Sequence, residues 1–226
     1  MNERLIIVEY EKISDFKPLE WVEEIFKLNT IVLIIDTSIL EMDDSGNALK
    51  VERIFDERKF VDGYKIDSIF SRKIINSIFS IINQVEEKNI IWEYNKFGKP
   101  YIENNYNIEF NISHSFDLLI IGFRIGSIGL DIQYIDKTIN CLDILNLIGN
   151  EEEKNIIIMN DYIINFFKYW VAKEAYLKFK GDSIFFGEVK LKLMMISNNQ
   201  VVFSEDDEII ELDIMNIKKD YIMCVF

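Results

Sequence analysis

Two runs of β-branched residues open the chain, "RLIIVEY" and "TIVLIID", and both read as strands; "PLEWVEEIFKL" between them reads as a helix opened by Pro18. The turn-rich "DSGNA" predicts a loop. From about Lys50 to Val85, Ile69, Ile74, Ile78 and Ile81 keep helical spacing, so a long helix is expected there. Gly98 and Pro100 in "KFGKPY" break regular structure. The stretch "NISHS" then forms a small polar knot ahead of an apolar strand, "LLIIGFRI". That strand and "IGLDIQYI" resemble a pair joined by Gly126 and Ser127 in a tight hairpin turn. A second long helix is expected from Asp161 to Lys180, ending at Gly181, and the tail reads as short strands.

Strands and one long helix occur in each half, with no plain repeat and no low-complexity linker. The pattern predicts a mixed α/β (α+β) fold of two similar subdomains packed side by side with pseudo-twofold symmetry, residues 1–126 and 127–226, with the boundary near Gly126. The chain's 226 residues suffice for one large domain or two small ones.

Composition narrows the partners. Hydrophobic residues make up 49% of the chain and charged residues 28%, with 2 prolines and 9 glycines, which is a globular balance. A formal charge of −14 argues against nonspecific attraction to nucleic acid or to an anionic membrane, so a phosphate ligand must be met by local cations or a metal. Cys141 and Cys224 form no metal-binding spacing; zinc is not expected and both thiols read as small hydrophobes. No signal-peptide pattern and no run near the ~20 apolar residues of a membrane span is seen, so a cytoplasmic location is expected.

Three stretches carry candidate chemistry. In "IGLDIQYID", strand alternation puts Asp131 and Gln133 on one face beside Gly129, a carboxylate and an amide oxygen with backbone room for a ligand. That is half of a hard-metal site of the kind magnesium uses, although a lone Asp in such a run more often ends an edge strand in solvent. In "FFKYWVAKEAYLKFKGD", Trp170, Glu174 and Lys178 share a helical face, with Lys173 adjacent; an ordinary surface ion pair explains Glu174 and Lys178 equally well. In "NISHS", His114 is the only histidine of the chain, and a lone histidine is most often structural.

In this order, "NISHS", "IGLDIQ" and "WVAKEAYLK", with "FGKPY" upstream, resemble the signature set of the 4′-phosphopantetheinyl transferases of the large surfactin-synthetase-activating type. The matched motifs run from Gly98 to Lys178; roughly the first 28 residues look additional to the family's minimal form. The resemblance implies an enzyme that moves the phosphopantetheine arm of coenzyme A to a serine of an acyl or peptidyl carrier protein and releases adenosine 3′,5′-bisphosphate. It further implies Mg²⁺ held by Asp131 and Glu174, Glu174 as general base, Lys178 as charge compensation, Ser113 and His114 on the coenzyme A phosphates, and Lys99 and Pro100 on the adenine side.

Two departures stand out. Gln133 replaces a third carboxylate and reads as a second-rank or water-mediated metal contact. The basic residues for the 3′-phosphate do not align, and Lys50, Arg53, Arg58, Lys59 and Lys65 all remain available. A catalytically weak coenzyme A-binding interaction module is the rival reading, and Gln133 is what favours it. "SIFSRKIINSIF" and "TINCLDILNLIGN" are the candidate carrier surfaces, although periodic apolar residues usually face inward. A single chain of two units can form the whole cleft, so a monomer suffices.

Overall fold

A computed structural model of the chain describes residues 4–10, 16–39, 60–184 and 187–226. They form a mixed α/β structure that divides into two compact units, residues 1–93 with 100–127 and residues 94–99 with 128–226. "DSGNA" and Lys50, Arg53, Arg58 and Lys59 lie outside the described residues, as does the side chain of Lys65.

In the first unit, β1 (Leu5–Tyr10), α1 (Pro18–Phe26) and β2 (Thr30–Asp36) make a β-α-β crossover with β1 and β2 parallel. Pro18 starts α1 because its fixed φ suits the first helical turn, where no amide hydrogen is needed. After α2 (Phe60–Asn83), β3 (Glu93–Tyr94) and β4 (Pro100–Tyr101) form a short two-stranded ribbon. β5 (Ile108–Ser115) and β6 (Leu118–Ile125) complete a four-stranded sheet in the order β1-β2-β6-β5. Phe70, Ile74, Ile75, Ile78 and Phe79 of α2 pack with Val22 and Ile25 of α1 against Ile31, Leu33, Phe110 and Ile121 of the sheet. Ile69, expected on the apolar face, is 42% exposed; the buried stripe runs instead through Phe70 and Ile74, so "SIFSRKIINSIF" supplies core.

The second unit is a five-stranded antiparallel sheet in the order β7-β11-β10-β9-β8, built from β7 (Leu130–Tyr134), β8 (Lys192–Ile196), β9 (Gln200–Glu205), β10 (Glu208–Asn216) and β11 (Tyr221–Val225). Helices α3 (Cys141–Ile148) and α4 (Glu151–Ile157) lead to the long α5 (Tyr162–Lys180). Asp161 caps α5 by accepting from the Ile164 amide, and Gly181 ends it at φ +68°, a left-handed conformation that glycine adopts without a Cβ penalty. Phe166, Tyr169, Ala172 and Leu177 of α5 meet Val201, Phe203, Leu212 and Ile222 of the sheet in one core.

Two expectations are corrected. β6 and β7 are not a hairpin: β6 pairs with β2 and β5, whereas β7 pairs with β11 at the other end of the chain. The local hairpin is β5–β6, closed by Phe116 and Asp117 between paired Ser115 and Leu118. Consequently the Ser-His-Ser segment is no knot ahead of a strand; it is the last part of β5.

Candidate active site

Asp131 stands in β7 with its side chain almost fully buried, and both its oxygens are engaged. The Lys178 ammonium lies 2.6 Å from Oδ1 and the Gln133 amide nitrogen donates to Oδ2 at 2.8 Å. Strand alternation puts Gln133 beside Asp131, and Lys178 reaches it because α5 packs directly on the start of β7. Gly129 makes that approach possible: a Cβ there would lie 2.0 Å from the Ala175 carbonyl oxygen and 2.3 Å from the Phe179 amide nitrogen. The space expected for a ligand at Gly129 is therefore taken by helix backbone.

Glu174 lies one turn before Lys178 on α5 and is half-buried. Burial raises its carboxyl above the ordinary range, Lys178 pulls it down, the nearby Asp131 charge adds to the rise and Lys173 opposes it. Lys178 thus forms its ion pair with Asp131 across elements and not with Glu174 along the helix, although it sits in the electrostatic reach of both. Asp131, Gln133, Glu174 and Lys178 are brought together within the second unit. Trp170, one turn earlier, packs on Phe166 at 5.9 Å between ring centres and belongs to the core margin.

The remaining candidates are placed as follows. Lys99, in the second unit, donates from Nζ to the Ile128 carbonyl at 3.2 Å, and its backbone amide is held by Asn95 Oδ1 at 2.9 Å. Gly98 closes this 95–99 turn at φ +86°. Pro100 starts β4 in the first unit. Ser113 is buried in β5, while His114 next to it is exposed at the strand's end. Two open clefts, of about 650 and 500 Å³, lie around Asn104 in the first unit and around Lys180 in the second, and none of these candidates lines either.

One cluster was not anticipated. Glu153 of α4 is buried; its Oε2 accepts from the Asn150 amide in a capping box and from the Tyr169 hydroxyl at 3.3 Å. Lys173, beside Glu174, donates to Tyr169 Oη at 2.6 Å and lies 3.9 Å from Glu153 Oε1; burial holds its ammonium below the ordinary range. The Asn-x-x-Glu pattern at 150–153 is the one sequence signal that marks Glu153, as a helix start. Among the described residues no group of three or more His, Cys, Asp or Glu side chains is placed to hold a metal ion. No described helix is long and apolar enough to cross a membrane.

No protein-family model matches the chain. Curated proteins do. It is 26% identical over 144 residues to the 4′-phosphopantetheinyl transferase gsp of Aneurinibacillus migulanus, covering 62% of this chain and 56% of that protein. It is 29% identical over 129 residues to HetI of a Nostoc species, covering 50% and 51%, and 28% identical over 114 residues to Sfp of Bacillus subtilis, covering 49% and 50%; both carry the same transferase name. The chain spans about half the length of the curated relatives it matches. Over about half of its length the chain is thus similar to several named 4′-phosphopantetheinyl transferases, the family that its motifs resemble.

Proposed function

We propose that the protein transfers the 4′-phosphopantetheine arm of coenzyme A to a serine hydroxyl of an acyl or peptidyl carrier protein. The observation that carries this reading is the buried Asp131, gripped by Lys178 and Gln133, beside a half-buried Glu174 whose carboxyl is raised by burial, in a chain similar to named transferases of this activity. The serine oxygen attacks the phosphorus that bears the pantetheine, its proton passes to Glu174 or a water held there, and adenosine 3′,5′-bisphosphate leaves with the electrons of the broken P–O bond. A carboxyl lifted by burial is a stronger base than an ordinary one, which suits that proton. Lys178 sets its charge against the pyrophosphate, and its hold on Asp131 fixes where that charge sits.

A hard divalent cation takes oxygen donors, and those this reading offers are the carboxylates of Asp131, here held by Lys178 and Gln133, and of Glu174, raised by desolvation. Asp131 and Glu174 would hold Mg²⁺, with Gln133 second or through water, and the ion would supply charge neutralisation at the pyrophosphate. Gln133 also steadies Asp131 through its amide nitrogen, a role a third carboxylate would not fill. Ser113 and His114 take the coenzyme A phosphates, and Lys99 and Pro100 the adenine side. The domain boundary lies near residue 127, the protein works as a monomer in the cytoplasm, and the carrier docks on α3. There Cys141 and Leu145 are buried but Leu142 and Leu147 are 45% and 82% exposed, an apolar surface that an acidic carrier can meet without charge attraction.

Mass spectrometry of apo carrier protein incubated with this chain, coenzyme A and MgCl₂ tests the reading. The phosphopantetheine increment is expected, and it should vanish with chelator. Binding of coenzyme A with no modification of any of several carriers would favour the binding module.

A further inference from the structure

Glu153 of α4 and Lys173 of α5 are charged, largely buried and outside the chemistry assigned to Asp131, Glu174 and Lys178. Glu153 is 2% exposed, and its Oε1 accepts no hydrogen bond among the described residues. Lys173 Nζ stands 3.9 Å from that oxygen, too far for a hydrogen bond, and donates instead to the Tyr169 hydroxyl at 2.6 Å. Tyr169, itself fully buried, carries the link on by donating to Glu153 Oε2 at 3.3 Å. Taking two charges out of water is unfavourable, and apolar side chains of similar size in their place are often neutral or stabilising. The capping box of α4 needs only an acceptor at position 153, which a glutamine would supply. The charges themselves are left to explain.

Tyr169 and Lys173 lie one turn apart on one face of α5, and Trp170, Glu174 and Lys178 form the face beside it. The second face is tied to β7 through Lys178 and Asp131; the first is tied to α4 through Lys173, Tyr169 and Glu153. Apolar packing is non-directional and leaves a helix some freedom to turn about its axis, whereas hydrogen bonds have preferred directions. Two polar ties on adjacent faces remove that freedom. Resting on the reading of Glu174 as the base, we infer that Glu153 and Tyr169 are positioning residues for the transfer: they hold Lys173, the residue before Glu174, and so fix the turn of α5 from which the base projects. A displacement of about 1 Å at a reacting group can cost about 10²-fold in rate, so such a tie is useful even where it adds nothing to stability.

The test measures carrier modification, its dependence on coenzyme A, and melting, for the full chain and for Tyr169→Phe, Glu153→Gln, Lys173→Met and the pair Glu153→Gln/Lys173→Met. Rates are taken at a temperature where the melts show folded protein. Tyr169→Phe keeps the ring against Phe203 and removes only the hydroxyl, so it decides the matter if Glu153→Gln does not fold. Tyr169→Phe and Glu153→Gln should each lower kcat about tenfold with the KM for coenzyme A unchanged, and the pair should lose no more than Glu153→Gln alone, because one tie is cut once. The pair should melt at or above the wild-type temperature, since both buried charges are gone. If folded Tyr169→Phe turns over like the wild type, the inference falls while the transferase reading stands. If the pair melts below the wild type, the charges serve the fold and the inference falls likewise. A loss in Lys173→Met far beyond that in Tyr169→Phe would make the lysine a contact of the substrate and also overturn it. If the wild type modifies no carrier, both readings fall.

Discussion

The candidate residues of the two units differ in how they are held. In the second unit, Asp131 is buried, its two oxygens are taken by Lys178 and Gln133, and Glu174 stands half-buried on a helix whose backbone presses on Gly129. In the first unit, His114 lies exposed at a strand end beside a buried Ser113. Side chains that handle a proton or crowded charge gain from being fixed and desolvated in advance, because reorganisation is then not needed during the reaction. Side chains that only capture a ligand need access more than rigidity. The contrast predicts that changes in the second unit act on turnover and stability, and changes in the first on affinity.

The largest effect should come from Glu174→Ala, which removes the proposed base; kcat is expected to fall about 10²–10⁴-fold in a carrier-modification assay, with coenzyme A binding measurable. Modification at the wild-type rate would break the comparison at its strongest point. Asp131→Ala should cost about 2–3 kcal/mol in denaturant unfolding, since it strands Lys178; a quarter of that lysine's side chain is exposed, which keeps the cost below that of a fully buried pair. His114→Ala should raise the KM for coenzyme A about tenfold with a smaller change in kcat, because the contact is remote from the reacting phosphorus. A kcat loss equal to that of Glu174→Ala would erase the distinction between the units.

The smallest effect sharpens the contrast inside the second unit. Glu205 accepts from Tyr176 Oη at 2.7 Å and pairs with Lys180 at 3.1 Å. Burial pushes its carboxyl up, but these two partners outweigh that and hold it below the ordinary 4.5. A depressed carboxyl stabilises the fold above its unfolded value, and the contribution is lost as pH falls through the folded one. Glu205→Gln should therefore cost about 0.5 kcal/mol at pH 7 and nothing measurable once the pH is well below 4, read by thermal melting across pH.

What the sequence disclosed follows the range of the interactions concerned. α5 was legible from end to end, because Asp161 and Gly181 act on the backbone within one turn. The strands at 5–10 and 30–36 were legible from their β-branched runs. The pairing of β7 was not: Gly126 and Ser127 have the chemistry of a hairpin turn, yet the partner of β7 is β11, some ninety residues on, and no local signal specifies it. The same holds for Lys178, whose four-residue spacing from Glu174 suggested a helical pair while the packing of α5 on β7 delivered it to Asp131. Glu153 was missed, and Lys173 was named only as a neighbour of Glu174, because only tertiary burial distinguishes them from residues of the same type.

Both cysteines of the chain are sequestered: Cys141 and Cys224 are each at most 1% exposed, and burial drives the thiol of each upward, Cys224 furthest. A buried thiol whose ionisation is disfavoured reacts slowly with maleimides or iodoacetamide in the folded state. In a test of the proposed transfer, an alkylating dye added once unreacted coenzyme A has been removed should therefore label the carrier's pantetheine sulfur and leave this chain unmarked.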